Sequence, residues 1–122
     1  MAGRQSRGAM AYQAGLVAEE QVAAVYARAG HQVVARRWRG SSGEIDLIAQ
    51  DGDGFVFIEV KQSRSHAEAA EHVTRAQIAR IFGAATEYVA KAPRGMMTDM
   101  RFDVALVDGK GRIEVLENAL AA

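Results

Sequence analysis

The chain has 122 residues, no cysteine and a formal net charge of zero at pH 7. This length fits one domain that buries a core without cross-links, and the lack of cysteine excludes disulfide bonds, a thiol nucleophile and a cysteine-based zinc site. No apolar run approaches the roughly 20 residues that span a bilayer, and residues 1–11 lack the apolar segment of a secretory signal. We therefore expect a cytoplasmic protein that binds no membrane.

Positive charge is concentrated near the N-terminus although the total charge is zero. Residues 1–40 contain six arginines against two glutamates. Arginine far outnumbers lysine in the whole chain, and its planar guanidinium binds phosphate in bidentate fashion; a GC-rich genome produces the same bias without a functional cause. We expect residues 1–11 to form a flexible arm and residues 12–122 to form a single domain.

Apolar periodicity, β-branched runs and glycine-rich turns divide that domain into helices and strands. The sequence predicts a helix over 12–29, strands over 31–38, 44–50 and 55–62, a long helix over 63–91, and strands over 101–107 and 112–116. Gly83 inside the long helix costs about 1 kcal/mol relative to alanine and would let a neighbouring segment approach closely. The predicted order is α-β-β-β-α-β-β.

The hairpin of the second and third strands carries charged side chains inside a hydrophobic sequence, GEIDLIAQDGDGFVFIEVK. A turn of two or four residues at DGDG pairs residues whose numbers sum to 105, so that Asp46 opposes Glu59 and Glu44 opposes Lys61. Strict alternation places the even-numbered residues of the second strand on one face and the odd-numbered residues on the other.

Two opposed carboxylates repel each other, so this arrangement needs a compensating charge. Mg²⁺ or Mn²⁺ held by Asp46 and Glu59 would supply it, because such ions prefer hard oxygen ligands. Lys61 shares the face of Glu59 and would orient a water molecule or neutralise charge on a phosphate. The alternative is an ordinary surface hairpin in which Glu44 pairs with Lys61 and contributes little.

Glu19 interrupts the apolar stripe of the first helix, three residues after Leu16 and four before Ala23. It is either a third metal ligand or an inward-leaning residue at the edge of the stripe.

In the RRWR run, Arg37 and Arg39 share one predicted face and would contact phosphates. Trp38 either stacks on a nucleobase or packs against the protein.

The acidic strand followed by E-V-K resembles the core of the PD-(D/E)xK nucleases. In that superfamily an aspartate and a glutamate bind Mg²⁺ and the lysine serves the attacking water. Asp46, Glu59 and Lys61 occupy those places. The resemblance therefore implies a catalytic role for all three residues and a metal-binding role for the two carboxylates.

Longer motifs extend the likeness over nearly the whole chain. GEIDLIA (43–49), VFIEVK (56–61), RFDVALV (101–107) and NAL (118–120) resemble the YraN-like family, small bacterial proteins grouped as uncharacterised protein family 0102. That family is similar in fold to archaeal Holliday-junction resolvases. The resemblance implies a three-layer α/β/α restriction-endonuclease-like core with a mixed central sheet, a metal-site role for Glu19 and, by analogy, a homodimer.

The sequence departs from the family pattern at three positions. Ala18 replaces the second glycine of G-x-x-G-E, Ser63 replaces an arginine two places after Lys61, and Gln77 stands where a lysine is common. The loss of two basic residues weakens the expectation of tight phosphate binding. Arg64 follows one place later than the family's arginine, and Arg75 and Arg80 are candidates to compensate.

These features lead to two alternative hypotheses. The first is a metal-dependent endonuclease that hydrolyses DNA, branched or single-stranded, with Asp46, Glu59, Lys61 and Glu19 at its site, and Glu44 and Gln77 as accessory residues. The second is a nucleic-acid-binding module that keeps the nuclease fold but has little or no turnover. In both hypotheses the residues that contact nucleic acid are Arg37, Arg39, Arg64, Arg75 and Arg80.

Overall fold

The structure is a computed structural model that describes residues 2–71 and 73–119. Within those residues the α-helices are α1 (Ala2–Arg28), α2 (His66–Glu71) and α3 (Arg75–Val89), and a short 3-10 helix covers Gly95–Met97. The strands are β1 (Val33–Arg39), β2 (Glu44–Asp51), β3 (Gly54–Gln62), β4 (Met100–Val107) and β5 (Ile113–Leu116). In this part of the chain, no helix has the length and apolarity needed to cross a membrane. Residues 120–122, the end of the predicted domain and of the NAL motif, lie outside the described residues.

The five strands form one mixed sheet in the order β1-β2-β3-β4-β5. β3 and β4 run parallel, and the other neighbouring strands are antiparallel. The chain crosses between the parallel strands through α2 and α3, which pack on one face of the sheet, while α1 packs on the other. This arrangement confirms the predicted α/β class, the mixed central sheet and the order of elements.

Two apolar clusters fill the spaces between the layers. On one side Phe57 and Phe102 pack with Ile81 of α3, and on the other Ile58 packs with Val22 of α1. Each fully buried side chain of this size contributes about 1.5–3 kcal/mol relative to an exposed one. The opposite placement of Phe57 and Ile58 confirms the alternation predicted for β3.

The predicted register of the β2–β3 hairpin is confirmed from its turn to the Leu47–Ile58 pair. The ladder ends there, and the carboxylate of Asp46 accepts a hydrogen bond from the Val60 backbone N–H at 2.8 Å. β3 continues alongside β4 as far as Gln62. The strand pairs predicted at Asp46 and Glu44 are therefore not part of the ladder, because the two strands separate at Asp46.

The alternation predicted for β2 is wrong at the same point. Ile45 and Ile48 both pack in the cluster beside α3, whereas strict alternation places them on opposite faces. Arg37 of β1 lies between the two residue pairs that flank Asp46 and has a left-handed backbone, with φ 51°. Like a β-bulge, such a residue bends a strand and changes the direction of neighbouring side chains.

The first helix is longer than the sequence predicts. The structure describes helical backbone from Ala2 onward, ahead of the predicted start at residue 12, and the flexibility expected of residues 1–11 stays a prediction. Alanine, arginine, glutamine and methionine dominate this segment, and all of them favour helix. The apolar stripe, on which the prediction relied, begins only after it. Met1 lies outside the described residues.

The long helix predicted over 63–91 is two helices, α2 and α3. Thr74 has an extended backbone, and its side chain accepts a hydrogen bond from the Gln77 N–H at 3.1 Å. Threonine at this position caps a new helix, because its oxygen satisfies a donor that lacks a partner within the first turn. The polar segment before Thr74 therefore marks a boundary that apolar spacing alone does not reveal.

Two glycines let the loop between β1 and β2 lie against α3. A Cβ atom on Gly83 would lie 2.5 Å from Ser42 Oγ, and one on Gly43 would lie 3.1 Å from Arg80 Cβ. The close approach expected at Gly83 is thus confirmed. The loop is held there by Ser42 Oγ, which donates to the Arg80 carbonyl at 3.2 Å.

A buried carboxylate of β4 holds α1 against the sheet. Asp103 of β4 is fully buried and accepts hydrogen bonds from the Tyr26 hydroxyl at 2.5 Å, from the Arg101 guanidinium at 3.0 Å to each oxygen, and from the Asn118 N–H at 2.9 Å. Its partners offset the cost of burying the charge.

We predict that Tyr26→Phe lowers the free energy of unfolding by about 1–3 kcal/mol, because it removes a hydrogen bond to a buried charge. Urea denaturation at pH 7 measures this difference. Tyr12→Phe, which removes an exposed tyrosine hydroxyl of the same helix, serves as the control and should change stability little. Equal effects of the two substitutions would contradict the structural role assigned to Asp103.

The same contact predicts a dependence on alkaline pH. Burial, and then the hydrogen bond to Asp103, raise the pKa of Tyr26 above its ordinary value of 10. Since the unfolded state ionises first, the stability that neutral Tyr26 contributes is complete below pH 10 and is lost as the pH rises beyond it. The difference in stability between wild type and Tyr26→Phe should therefore shrink above that pH, as measured by urea denaturation.

Candidate functional site

The separation of β2 from β3 opens a cavity of about 330 Å³ between α1 and α3. Its polar lining comes from four elements and consists of Glu19, Glu44, Asp46, Glu59, Lys61, Gln77 and Arg80. The fold therefore brings together the four residues predicted for metal binding or catalysis, both accessory residues and one arginine predicted to bind phosphate. They are distributed over some sixty positions of the sequence, from Glu19 to Arg80.

Asp46 and Glu59 form the centre of this cavity, and one donor fixes each carboxylate. Glu59 is buried, with 6% of its surface exposed, and its Oε2 accepts a hydrogen bond from Gln77 Nε2 at 2.8 Å. Asp46 is half-buried and accepts from the Val60 N–H at 2.8 Å. The backbone of β3 and the first turn of α3 thus hold the two carboxylates in place.

The surroundings of Glu59 perturb its ionisation. Burial raises the pKa of Glu59 far above its ordinary value, and the hydrogen bond with Asp46 and the negative charge of Asp46 raise it further. The positive charge of Lys61 and the hydrogen bond from Gln77 act in the opposite direction without cancelling the rise. Without a cation, the pair therefore retains a proton at neutral pH; a divalent cation would favour the fully ionised form.

The donor set fits a hard divalent cation such as Mg²⁺ or Mn²⁺. Such ions are held by one or two carboxylates together with water and phosphate oxygens, and Asp46 and Glu59 supply two carboxylates. Within residues 2–71 and 73–119, no group of three acidic or histidine side chains is arranged to hold a metal ion. Asp46 and Glu59 are the residues that would hold such an ion.

Glu19 lies in the same cavity but is paired with Arg37. Arg37 Nε is 2.8 Å from Glu19 Oε1, and its Nη2 is 3.3 Å from Oε2. Burial raises the pKa of Glu19, the hydrogen bond from Arg37 lowers it, and the charge of Asp46 raises it again. The charge of Asp46 therefore acts on Glu19, although both oxygens of Glu19 accept hydrogen bonds from the Arg37 guanidinium.

The five arginines predicted to contact nucleic acid fall into different environments. Arg37 binds Glu19, Arg39 lies 3.2 Å from Glu44, and Arg64 lies 3.0 Å from Glu68. Arg75 and Arg80 are exposed on α3, and Arg80 lines the cavity. Of these five arginines, Arg80 is therefore the one that lines the cavity together with the two carboxylates.

Sequence reasoning did not anticipate the contacts of Arg37 and Gln77. Arg37 appears in the sequence as a phosphate-binding residue, and Gln77 as the loss of a lysine. The structure instead places Arg37 on Glu19, with the Tyr12 ring 5.1 Å from its guanidinium carbon, and Gln77 on Glu59. The short spacing of Thr74 and Gln77 marks a helix start, but no local pattern indicates which side chain the amide of Gln77 meets.

Comparisons with known proteins find relatives that match nearly the whole chain. The profile described as Uncharacterised protein family UPF0102 matches residues 18–107. A UPF0102 protein of Cereibacter sphaeroides is 60% identical over 115 residues, which cover 94% of this chain and 98% of the relative. UPF0102 proteins of Ruegeria pomeroyi (55% identical over 114 residues, 93% of each chain) and Roseobacter denitrificans (49% over 118 residues, 97% of this chain and 92% of the relative) are also similar.

We predict that Glu59→Gln stabilises the metal-free protein at pH 8. Because its pKa is raised, Glu59 costs stability as the pH rises above 4.5, the ordinary value for glutamate, whereas glutamine does not ionise. The gain should be at least about 1 kcal/mol at pH 8 and should vanish near pH 4.5. Urea denaturation in EDTA at the two pH values measures it.

Addition of Mg²⁺ or Mn²⁺ should reverse the order by raising the melting temperature of the wild type more than that of the variant. Glu20→Gln, which removes an exposed carboxylate of α1 paired with Arg36, is the control for the loss of one negative charge. A variant that is less stable than wild type in EDTA at pH 8 would show that the carboxylates do not repel.

Proposed function

We propose that this chain, which belongs to the uncharacterised protein family UPF0102, is a metal-dependent endonuclease that hydrolyses phosphodiester bonds in DNA. One observation carries the proposal: Asp46, Glu59 and Lys61 converge in one cavity, at a point where the sheet leaves room for a ligand. The arrangement supports a relationship to the PD-(D/E)xK nucleases and the archaeal Holliday-junction resolvases. Branched or single-stranded DNA is the proposed substrate.

Asp46 and Glu59 would hold the metal ion, with Glu19 joining them directly or through water once Arg37 releases it. When bound, the cation would polarise the phosphoryl group and lower the pKa of a nearby water molecule. The rest of the site is supplied by the chain itself. Gln77 of α3 donates a 2.8 Å hydrogen bond to Glu59 and thereby fixes the orientation of that carboxylate.

Lys61 has the position and charge needed to act on the nucleophile. It lines the cavity, lies two residues after Glu59 on β3, and is close enough to lower the pKa of Glu59. Its ammonium group would orient the attacking water and offset the charge that develops on the phosphate. Arg80, at the wall formed by α3, would bind a neighbouring phosphate.

The alternative function is a nucleic-acid-binding module with little or no turnover. The pairing of Glu19 with Arg37 favours it, because that carboxylate is already neutralised. The glutamine at position 77 also favours it, because a neutral amide, rather than a lysine, contacts Glu59. In that case Asp46 and Glu59 are remnants of a nuclease fold. A cytoplasmic location and a homodimer are expectations for both functions.

A cleavage assay tests the proposal. Labelled single-stranded, duplex, flap and four-way-junction DNA, with matched RNA, are incubated with the protein in Mg²⁺ or in Mn²⁺. We expect metal-dependent cleavage that is abolished by Glu59→Ala. Lys61→Met should lower the rate at least about a hundredfold, the scale of general acid–base contributions, while the stabilisation by metal remains.

The outcome of this assay tests the metal site and separates the two functions. Cleavage in EDTA, or cleavage that persists in Glu59→Ala, would refute the proposed metal-dependent site. The absence of cleavage on every substrate, with equal DNA binding by wild type and Glu59→Ala, would establish the binding module instead. Lys110→Ala, which removes an exposed lysine in the turn before β5, should cleave as the wild type does.

A further inference from the structure

A second cavity, of about 340 Å³, lies further along α3. Its lining combines three aromatic rings with a lysine and a short Ala-Pro segment: Trp38, Phe55, Tyr88, Lys91, Ala92 and Pro93. The proposed hydrolysis uses none of these residues. The cavity therefore requires an explanation that the carboxylate site does not provide.

The three rings are held in fixed positions by their contacts with one another. Tyr88 meets Trp38 and Phe55 edge to face, with ring centroids 5.3 Å apart in each pair. All three side chains are half-buried and pack against the core beside α3. This confirms that Trp38 packs against the protein, yet the rings still line an open cavity. A ligand that enters it would meet a preorganised aromatic surface, which reduces the entropy cost of binding.

One stripe of α3 joins this cavity to the carboxylate site. Gln77 and Arg80 line the first cavity, and Tyr88 and Lys91 line the second. Gln77, Arg80 and Tyr88 follow the spacing of residues on one face of α3, and Lys91 comes two residues after the end of that helix at Val89. Arg80 and Tyr88 are eight residues apart in sequence, which corresponds to about 12 Å along the axis at 1.5 Å per residue. A few nucleotides of a single strand can bridge that distance.

The surface of α3 between the two cavities carries charges that suit a phosphate backbone. Arg80 and Lys91 are exposed at its two ends. Glu87 is the acidic residue between them, and its Oε2 accepts hydrogen bonds from the Ser41 N–H and hydroxyl, each at 2.8 Å. The loop between β1 and β2 thus supplies the hydrogen-bond donors for this carboxylate. A nucleic-acid strand that crosses the loop would meet Arg80 on one side and Lys91 on the other.

We propose that the aromatic cavity binds an unpaired nucleobase of the substrate strand, which stacks on the Tyr88 ring and meets the perpendicular Trp38 ring with its edge, while Lys91 contacts an adjoining phosphate. Aromatic rings with a nearby cation bind single strands without sequence readout, whereas a base within a duplex must leave the helix before it can stack on protein. The inference rests on the proposed function and narrows its substrate to nucleic acid with a single-stranded segment beside the cleaved bond.

Trp38 is the only tryptophan, so its fluorescence reports directly on the cavity. The full-length protein is titrated with a short oligothymidylate in EDTA, where no cleavage occurs, and with a duplex of the same length. We expect saturable quenching of Trp38 by the single strand and much weaker quenching by the duplex.

Matched variants test the stacking on Tyr88 and the phosphate contact of Lys91 separately. Tyr88→Leu keeps an apolar side chain but removes the ring, and should weaken binding at least about fivefold, the lower end of the range for one base stacked on an aromatic ring. Tyr88→Phe keeps the ring and should bind as the wild type does. Lys91→Ala should weaken binding and reduce its salt dependence, whereas Lys110→Ala, an exposed lysine far along the chain, should do neither.

Several results would overturn the proposal. They are the absence of quenching by the single strand, equal quenching by the duplex, and quenching that Tyr88→Leu leaves unchanged. A Trp38 emission that changes with protein concentration alone would place a second copy of the chain in the cavity and would likewise overturn it.

The Glu59→Gln variant separates this inference from the proposed nuclease activity. It leaves the aromatic cavity intact and should show the same quenching as the wild type. Quenching by a wild-type protein that cleaves no substrate would refute the nuclease while the base-binding site stands. Cleavage without quenching would refute the base-binding site alone.

Discussion

The mutual repulsion of Asp46 and Glu59 is the interaction on which the candidate site depends. Glu59 is buried and Asp46 is half-buried, and burial together with the charge of Asp46 raises the free energy of the ionised form of Glu59. The protein tolerates the pair because it supplies Gln77, the Val60 N–H and the charge of Lys61 around it. These partners lower the cost without removing it, which leaves a place where a further positive charge is favourable.

The second constraint is the left-handed backbone of Arg37. A non-glycine residue in this conformation costs of order 1–3 kcal/mol and is retained where its surroundings hold it. Here the guanidinium binds Glu19 with two hydrogen bonds, and the distorted strand lies opposite Asp46. The distortion therefore accompanies both the separation of β2 from β3 and the neutralisation of the acidic residue that α1 contributes.

Helix α3 connects the parts of the molecule that contact ligand in our proposals. Its first turns supply Gln77 and Arg80, and its last turn supplies Tyr88. Gly83 lets the β1–β2 loop pack between these ends. On the opposite face of the sheet, the bond between Tyr26 and the buried Asp103 fixes α1. The sheet thus holds both helices, and with them the walls of the cavity, in a defined relation.

The sequence by itself determined the α/β class, the order of elements and the hairpin register up to Leu47, because these depend on local periodicity and on the length of one turn. It also indicated polar residues that line the carboxylate cavity, through the charged positions of the hairpin, the interrupted apolar stripe of α1 and the resemblance to a family. Only the tertiary structure decided where β2 and β3 separate, that Arg37 binds Glu19, and that Gln77 binds Glu59. Those outcomes depend on a left-handed residue in β1 and on contacts between segments distant in the chain, which leave no periodic trace in the sequence.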